Sequence, residues 1–135
     1  MSDLPAVPAE VTADNQEFFA GLEAGRVRLP RCDRCGAVIW FPRHHCPACG
    51  SGEVTWFDAS GRGIVYSFTV VRRSQGDWSA AVPYVLAYVE LDEGPRVLTN
   101  IVGSDPAGVA IGARVEAVVA TADGVPPVLR FRLVS

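Results

Sequence analysis

The hydrophobic positions of this chain change rhythm twice. In ADNQEFFAGLEAGR, Phe18, Phe19 and Leu22 recur at helical spacing, Asp14 or Asn15 can cap the start, and Gly25 can end the segment. A helix is predicted within residues 13–27. It offers only about three turns, too few to persist alone, so its aromatic face must dock on its own domain or on another subunit. Phe18, Phe19 and Leu22 are therefore candidate partner-docking residues. The Pro- and Ala-rich residues 1–12 before it read as a flexible arm, or one that lies on a partner.

Beyond residue 60 the period becomes two. In GRGIVYSFTVVRR, Ile64, Tyr66, Phe68 and Val70 alternate with Val65, Ser67, Thr69 and Val71. PYVLAYVELDEGPRVLTNIV reads as two strands joined at Asp92-Glu93-Gly94-Pro95, and ARVEAVVAT and VLRFRLV as two more. Asp105-Pro106 can start a short helical turn between the third and fourth strands. Five strands with a helical connection there is the order of an OB-fold barrel. The expected chain is mainly β: the helix, a metal ribbon over 28–56, and a five-stranded barrel over 57–135.

Neither rhythm covers RCDRCGAVIWFPRHHCPACG, which holds all four cysteines as Cys32-x2-Cys35-x10-Cys46-x2-Cys49. Gly36 and Gly50 directly follow the second cysteine of each pair. That suits two tight knuckles in which two thiolates reach one ion and glycine tolerates the turn beneath. Four sulfurs give the closed tetrahedral site that structural zinc prefers; iron, which also accepts tetrahedral sulfur, is the other candidate. A substitution of His44 or His45 for one cysteine, or disulfide pairing, are the remaining alternatives. A closed site leaves no position for water or substrate, as catalytic metals require, so the reading is structural.

Composition narrows the function. Of 135 residues 49% are hydrophobic and 20% charged, which suits a folded chain. No apolar run approaches the ~18 residues of a membrane span. MSDLPAVPAEV has neither the basic nor the apolar region of a secretory signal, so a cytoplasmic location is expected, where cysteine pairs are more often metal ligands. The formal charge is −3, and all twelve basic residues are arginine. Five of them, Arg26, Arg28, Arg31, Arg34 and Arg43, crowd the ribbon against one acid, Asp33; that patch can receive phosphates or an acidic partner, or merely offset the cluster's own charge.

The runs FFAGLEAGRVRLPRCDRCGAVIWFPRHHCPACGS, GRGIVYSFTVV, YVLAYVELDEG and IGARVEAV, in order from Phe18 to Val119, resemble the acyl-CoA-associated OB-fold proteins with a rubredoxin-like zinc ribbon. Members of that family accompany thiolase-like enzymes or hydratases acting on acyl-CoA thioesters. In sterol breakdown one partners a lipid-transfer-type, thiolase-fold aldolase that cleaves a side-chain β-hydroxyacyl-CoA by a retro-aldol step. The resemblance implies a noncatalytic zinc-binding accessory subunit, in a two-plus-two heterotetramer whose chemistry, a lyase or acyltransferase reaction, belongs to the partner. Cys32, Cys35, Cys46 and Cys49 carry over as metal ligands, and no catalytic residue is transferred.

Candidate contacts to a CoA ester or to the partner are Arg43, His44 and His45 in the ribbon, Arg62, Arg72 and Arg73 flanking the first barrel strand, and Trp78 in the expected mobile loop Ser74–Ala80. Each also has an ordinary surface role open to it. A hydratase or thiolase partner is the nearest alternative. A different class, single-stranded nucleic-acid binding, predicts exposed aromatics among basic residues on the barrel face. Tyr66, Phe68, Tyr84 and Tyr88 supply the aromatics, but the middle strands carry almost no arginine. An independent enzyme would need a catalytic set, and both histidines sit in the ribbon.

Overall fold

A computed structural model describes residues 4–6 and 9–134. The helix forms inside its expected span but is shorter: α1 covers Gln16–Glu23. Asn15 stands at its N-cap, yet its side chain turns backwards. Its Oδ1 accepts from the Thr12 N–H at 2.7 Å and its Nδ2 donates to the Glu10 carbonyl at 3.1 Å. At the other end the Gly25 N–H bonds to Leu22 and the Arg26 N–H to Gly21, a Schellman closure that turns the chain into the next strand. What stabilises so short a helix is burial of Phe18 and Leu22.

Two strands the period did not announce follow. β1 (Arg28–Cys32) and β2 (Val54–Asp58) pair antiparallel, from Arg28 opposite Asp58 to Cys32 opposite Val54. Each is only five residues, and β1 contains Pro30, so neither shows enough alternation to be read. β2 runs through the boundary expected between residues 56 and 57.

The barrel consists of β3 (Arg62–Val71), β4 (Tyr84–Leu91), β5 (Arg96–Val102), β6 (Arg114–Ala120) and β7 (Val128–Leu133). It closes in the order β3-β4-β5-β7-β6. Every pairing is antiparallel except β5 with β7, as an OB-fold requires. The turn Pro106–Gly108 lies between β5 and β6, with Asp105 Oδ1 accepting from the Ala107 N–H at 2.9 Å.

One expected alternation is corrected. Val65 pairs with Val89 but Ser67 with Tyr88, so Tyr66 is an extra residue in β3. A bulge of one residue exchanges the two faces of the strand. Val65 points inward before it; Phe68 and Val70 pack on the core after it; Tyr66 is left outside.

The helix and the hairpin base share the barrel's core. Phe18, Leu22, Val27 and Leu29 belong to one buried cluster with Val65, Val89, Val97, Val115 and Phe131. Phe18 and Leu22 thus dock within their own chain, and Phe19, half-buried, packs against the same cluster. The ribbon tip has a separate small cluster of Cys32, Ile39 and Cys46. Among the described residues no helix is long and apolar enough to cross a membrane.

Candidate metal centre

The two cysteine pairs form two nearly identical knuckles. In the first, the Gly36 N–H reaches the Cys32 carbonyl at 2.9 Å and the Cys32 N–H the Ala37 carbonyl at 2.8 Å. In the second, the Gly50 N–H reaches the Cys46 carbonyl at 2.8 Å and the Cys46 N–H the Ser51 carbonyl at 2.9 Å. Gly36 and Gly50 have φ of 80° and 79°, a left-handed backbone that a Cβ would strain. The glycines after each pair are thus explained by geometry.

The knuckles bring four Sγ atoms within 4.8 Å of one another. The Cys32–Cys49 and Cys35–Cys46 sulfurs lie 3.5 and 3.6 Å apart. Four sulfurs at the usual zinc–sulfur distance would stand about 3.8 Å apart, so the donor set fits a tetrahedral ion. The thiol electrostatics fit as well. The Cys35 amide, aimed at sulfur against the opposing pull of burial and aided by the Arg34 amide, lowers the Cys32 thiol to about 6. At Cys35 the Ala37 amide acts in the same sense but is outweighed by the Cys46 sulfur and burial, which push that thiol up to about 11. Thiols so close cannot all ionise without a cation among them. A divalent ion bound here would hold the two knuckles together, and all four protein ligands are cysteines.

The remaining sequence-predicted residues are dispersed. His44 is not part of the cluster: its Nδ1 is 3.8 Å from an Asp14 oxygen and its ring meets Trp56 edge-on. His45 is exposed, and the Arg43 Nε–H donates to the Phe41 carbonyl. Two arginines of the ribbon's positive patch are paired with acids that lie outside it in sequence. Arg28 donates to Glu17 at 2.8 Å and to Asp58 at 2.7 Å, Arg26 reaches Asp58 at 3.4 Å, and Arg31 lies flat on Phe57. Bonding to Arg28 holds the Asp58 carboxyl below its usual range. Arg62 begins β3 whereas Arg72 and Arg73 follow its end, so roughly 30 Å of extended strand separates them and they form no single phosphate site. Trp78, in the turn Gly76–Trp78, stacks on Tyr84 with ring centroids 4.8 Å apart, so the expected mobile loop rests on the barrel.

Two features escaped the sequence reading. Buried Arg130 in β7 donates to the carbonyls of Leu4 and Pro5. Together with Asn15 it ties down the described part of the arm expected to be flexible; residues 1–3, 7 and 8 lie outside the described residues. The second is Gly63, where a Cβ would stand 2.4 Å from the Glu90 carbonyl oxygen, so β3 and β4 approach more closely there than any side chain allows.

Two family models match the chain in succession. One described as the ChsH2 rubredoxin-like zinc ribbon domain matches residues 19–55, and one described as the ChsH2 C-terminal OB-fold domain matches residues 56–120. The chain belongs to the ChsH2 family. A DUF35 domain-containing scaffold protein of Methanocaldococcus jannaschii is 42% identical over 65% of this chain and 63% of its own length. The 3-oxo-4,17-pregnadiene-20-carboxyl-CoA hydratase alpha subunit of Mycobacterium tuberculosis is 47% identical over 77% of this chain, but that is 33% of the subunit. The benzoylsuccinyl-CoA thiolase subunit BbsA of Geobacter metallireducens is 38% identical over 54% of this chain and 48% of its own. Among solved structures, the Ltp2-ChsH2(DUF35) aldolase contains a chain that superposes with a TM-score of 0.81 at 34% identity, covering 93% of this chain and 98% of that one. This ChsH2-family chain thus spans a third to two thirds of these curated relatives.

Proposed function

We propose that this chain is a noncatalytic, zinc-stabilised accessory subunit of an acyl-CoA enzyme. Its partner is a thiolase-fold protein, and the preferred one is a lipid-transfer-type aldolase that cleaves a steroid side-chain β-hydroxyacyl-CoA by a retro-aldol step. The observation that carries the reading is the near-complete likeness to one component of a two-component aldolase, covering 93% of this chain. The naming of a relative as a scaffold supports a role without chemistry of its own. A steroid acyl-CoA and a second CoA ester in the names of two relatives support the substrate class.

A hydratase or thiolase partner is the second reading, favoured by those same two names. The nucleic-acid reading loses ground on the barrel face. Phe68 points inward and Tyr84 lies under Trp78, which leaves Tyr66 and Tyr88 exposed, and the arginine over Tyr66, Arg96, is held by Glu90 at 3.2 Å.

Co-expression with a thiolase-like protein of the lipid-transfer type, followed by size-exclusion chromatography and an assay of acyl-CoA cleavage, tests the proposal. A stable two-plus-two complex whose activity needs both chains is expected. Separate elution, with the enzyme fully active alone, refutes the accessory role.

A further inference from the structure

The outer face of the barrel carries large apolar side chains that stay substantially exposed among the described residues. Tyr66 is 45% exposed, Leu86 36%, Tyr88 45% and Leu98 54%. They lie on three adjacent strands in register: Tyr88 stands opposite both Ser67 and Leu98, and Leu86 stands opposite Thr69. Tyr66 joins them because the bulge in β3 turns it outward. At Leu98 this face runs into a groove between ribbon and barrel, walled by Trp40, Phe41, Pro126 and Pro127 and free of charged side chains. Phe41 is itself 40% exposed. The result is one apolar strip across β3, β4 and β5 that ends on the metal ribbon.

We infer that this strip is the docking surface for the catalytic subunit, an inference that rests on the accessory role proposed above. The largest contiguous apolar patch on a monomer is often functional, and one that exceeds a few hundred Å² marks an interaction site. A stable interface needs about 800 Å² per partner, which the four side chains alone do not reach but the strip with its groove and polar rim can. At its Tyr66 end the one arginine is held by Glu90, so the strip suits a protein surface rather than a phosphate backbone. The occupant is an unlike chain, not a second copy. Relatives are named as an alpha subunit, a thiolase subunit and one part of a two-part aldolase. The geometry also gives the metal a task in binding. Ile39, buried in the ribbon tip and bonded through its N–H to the Pro30 carbonyl, fixes the adjoining Trp40-Phe41 wall beside Leu98.

Surface plasmon resonance with the immobilised thiolase-like subunit tests the assignment. Leu98→Glu places a charge in the middle of the strip and should weaken binding by roughly tenfold to a hundredfold. Val134→Glu, at the far end of β7, should bind within twofold of the unsubstituted chain. Hydrogen exchange of the unsubstituted complex should show new protection in residues 84–102, which decides the matter even if Leu98→Glu folds poorly. Normal binding by a folded Leu98→Glu, or protection confined to other strands, overturns the surface while leaving the accessory role standing. A free chain that dimerises through Leu98, or an oligothymidylate that protects 84–102, also overturns it. Failure of the unsubstituted chain to bind the subunit at all defeats both readings.

Discussion

Removing the metal should unfold one end of this molecule and leave the other intact. The ribbon tip, residues 33–53, buries little besides Cys46: Ile39 and the small Pro42 ring are fully buried, Ala37 is half-buried, and Val54 packs beside them from β2. Burying one isoleucine contributes about 1.5–3 kcal/mol. Ordering the backbone costs about 1–2 kcal/mol per residue, so apolar burial cannot hold this segment. A bound zinc ion, with apparent free energy of about 10–16 kcal/mol in comparable small sites near neutral pH, supplies what is missing. The hairpin base behaves differently, because Val27 and Leu29 belong to the barrel core. Chelation with an excess of a high-affinity zinc ligand should therefore abolish hydrogen-exchange protection in 33–53. Protection in β3 to β7, in α1 and at Val27 to Leu29 should remain, with the far-UV spectrum of the barrel retained. A single transition in which metal loss unfolds the whole chain would falsify the division of the core, and a tip still protected after verified metal loss would refute the scaffold role of the ion.

Two further substitutions test the packing. Gly63→Ala sets a methyl group against the Glu90 carbonyl and 2.9 Å from Val89 Cγ1, and a backbone oxygen cannot swing aside; overpacking of that kind costs about 1–3 kcal/mol, so thermal denaturation should shift down by several degrees with metal content unchanged. An unshifted melting curve would show that β3 and β4 separate freely. Asp58, its pKa lowered by Arg28, contributes stability that is complete above the ordinary carboxylate value of about 3.9 and is lost as pH falls through the lower folded value. Asp58→Asn should therefore lack that part of the acid destabilisation. Melting temperatures of the two proteins measured between pH 6 and pH 2 should converge at the acid end, and parallel curves would remove the ion pair from the account.

How much of this was legible beforehand depended on the range of the interaction. The helix announced itself through Phe18 and Leu22, but its capping did not, because Asn15 was free to bond forwards or backwards and the Glu10 and Thr12 groups decided it. The ion pairing of Arg28 was not legible for the same reason. Arg28 takes one partner 11 residues before it and another 30 residues after it, and no local window contains both.

The sequence by itself determined the four-cysteine cluster, the number and order of the barrel strands and the short helical turn at Asp105-Pro106. Each is encoded within a few neighbouring residues: thiols and glycines at knuckle spacing, alternation along one strand, a cap beside a proline. Only the tertiary structure decided that Tyr66 faces outward, that Arg62 and Arg72 stand at opposite ends of a strand, that Arg130 holds the N-terminal arm, and that Leu98 joins the barrel face to the ribbon. A bulge flips a strand by one residue without changing its composition, and a surface belongs to strands brought together by closure. Such facts are set by packing between distant segments, which no local pattern records.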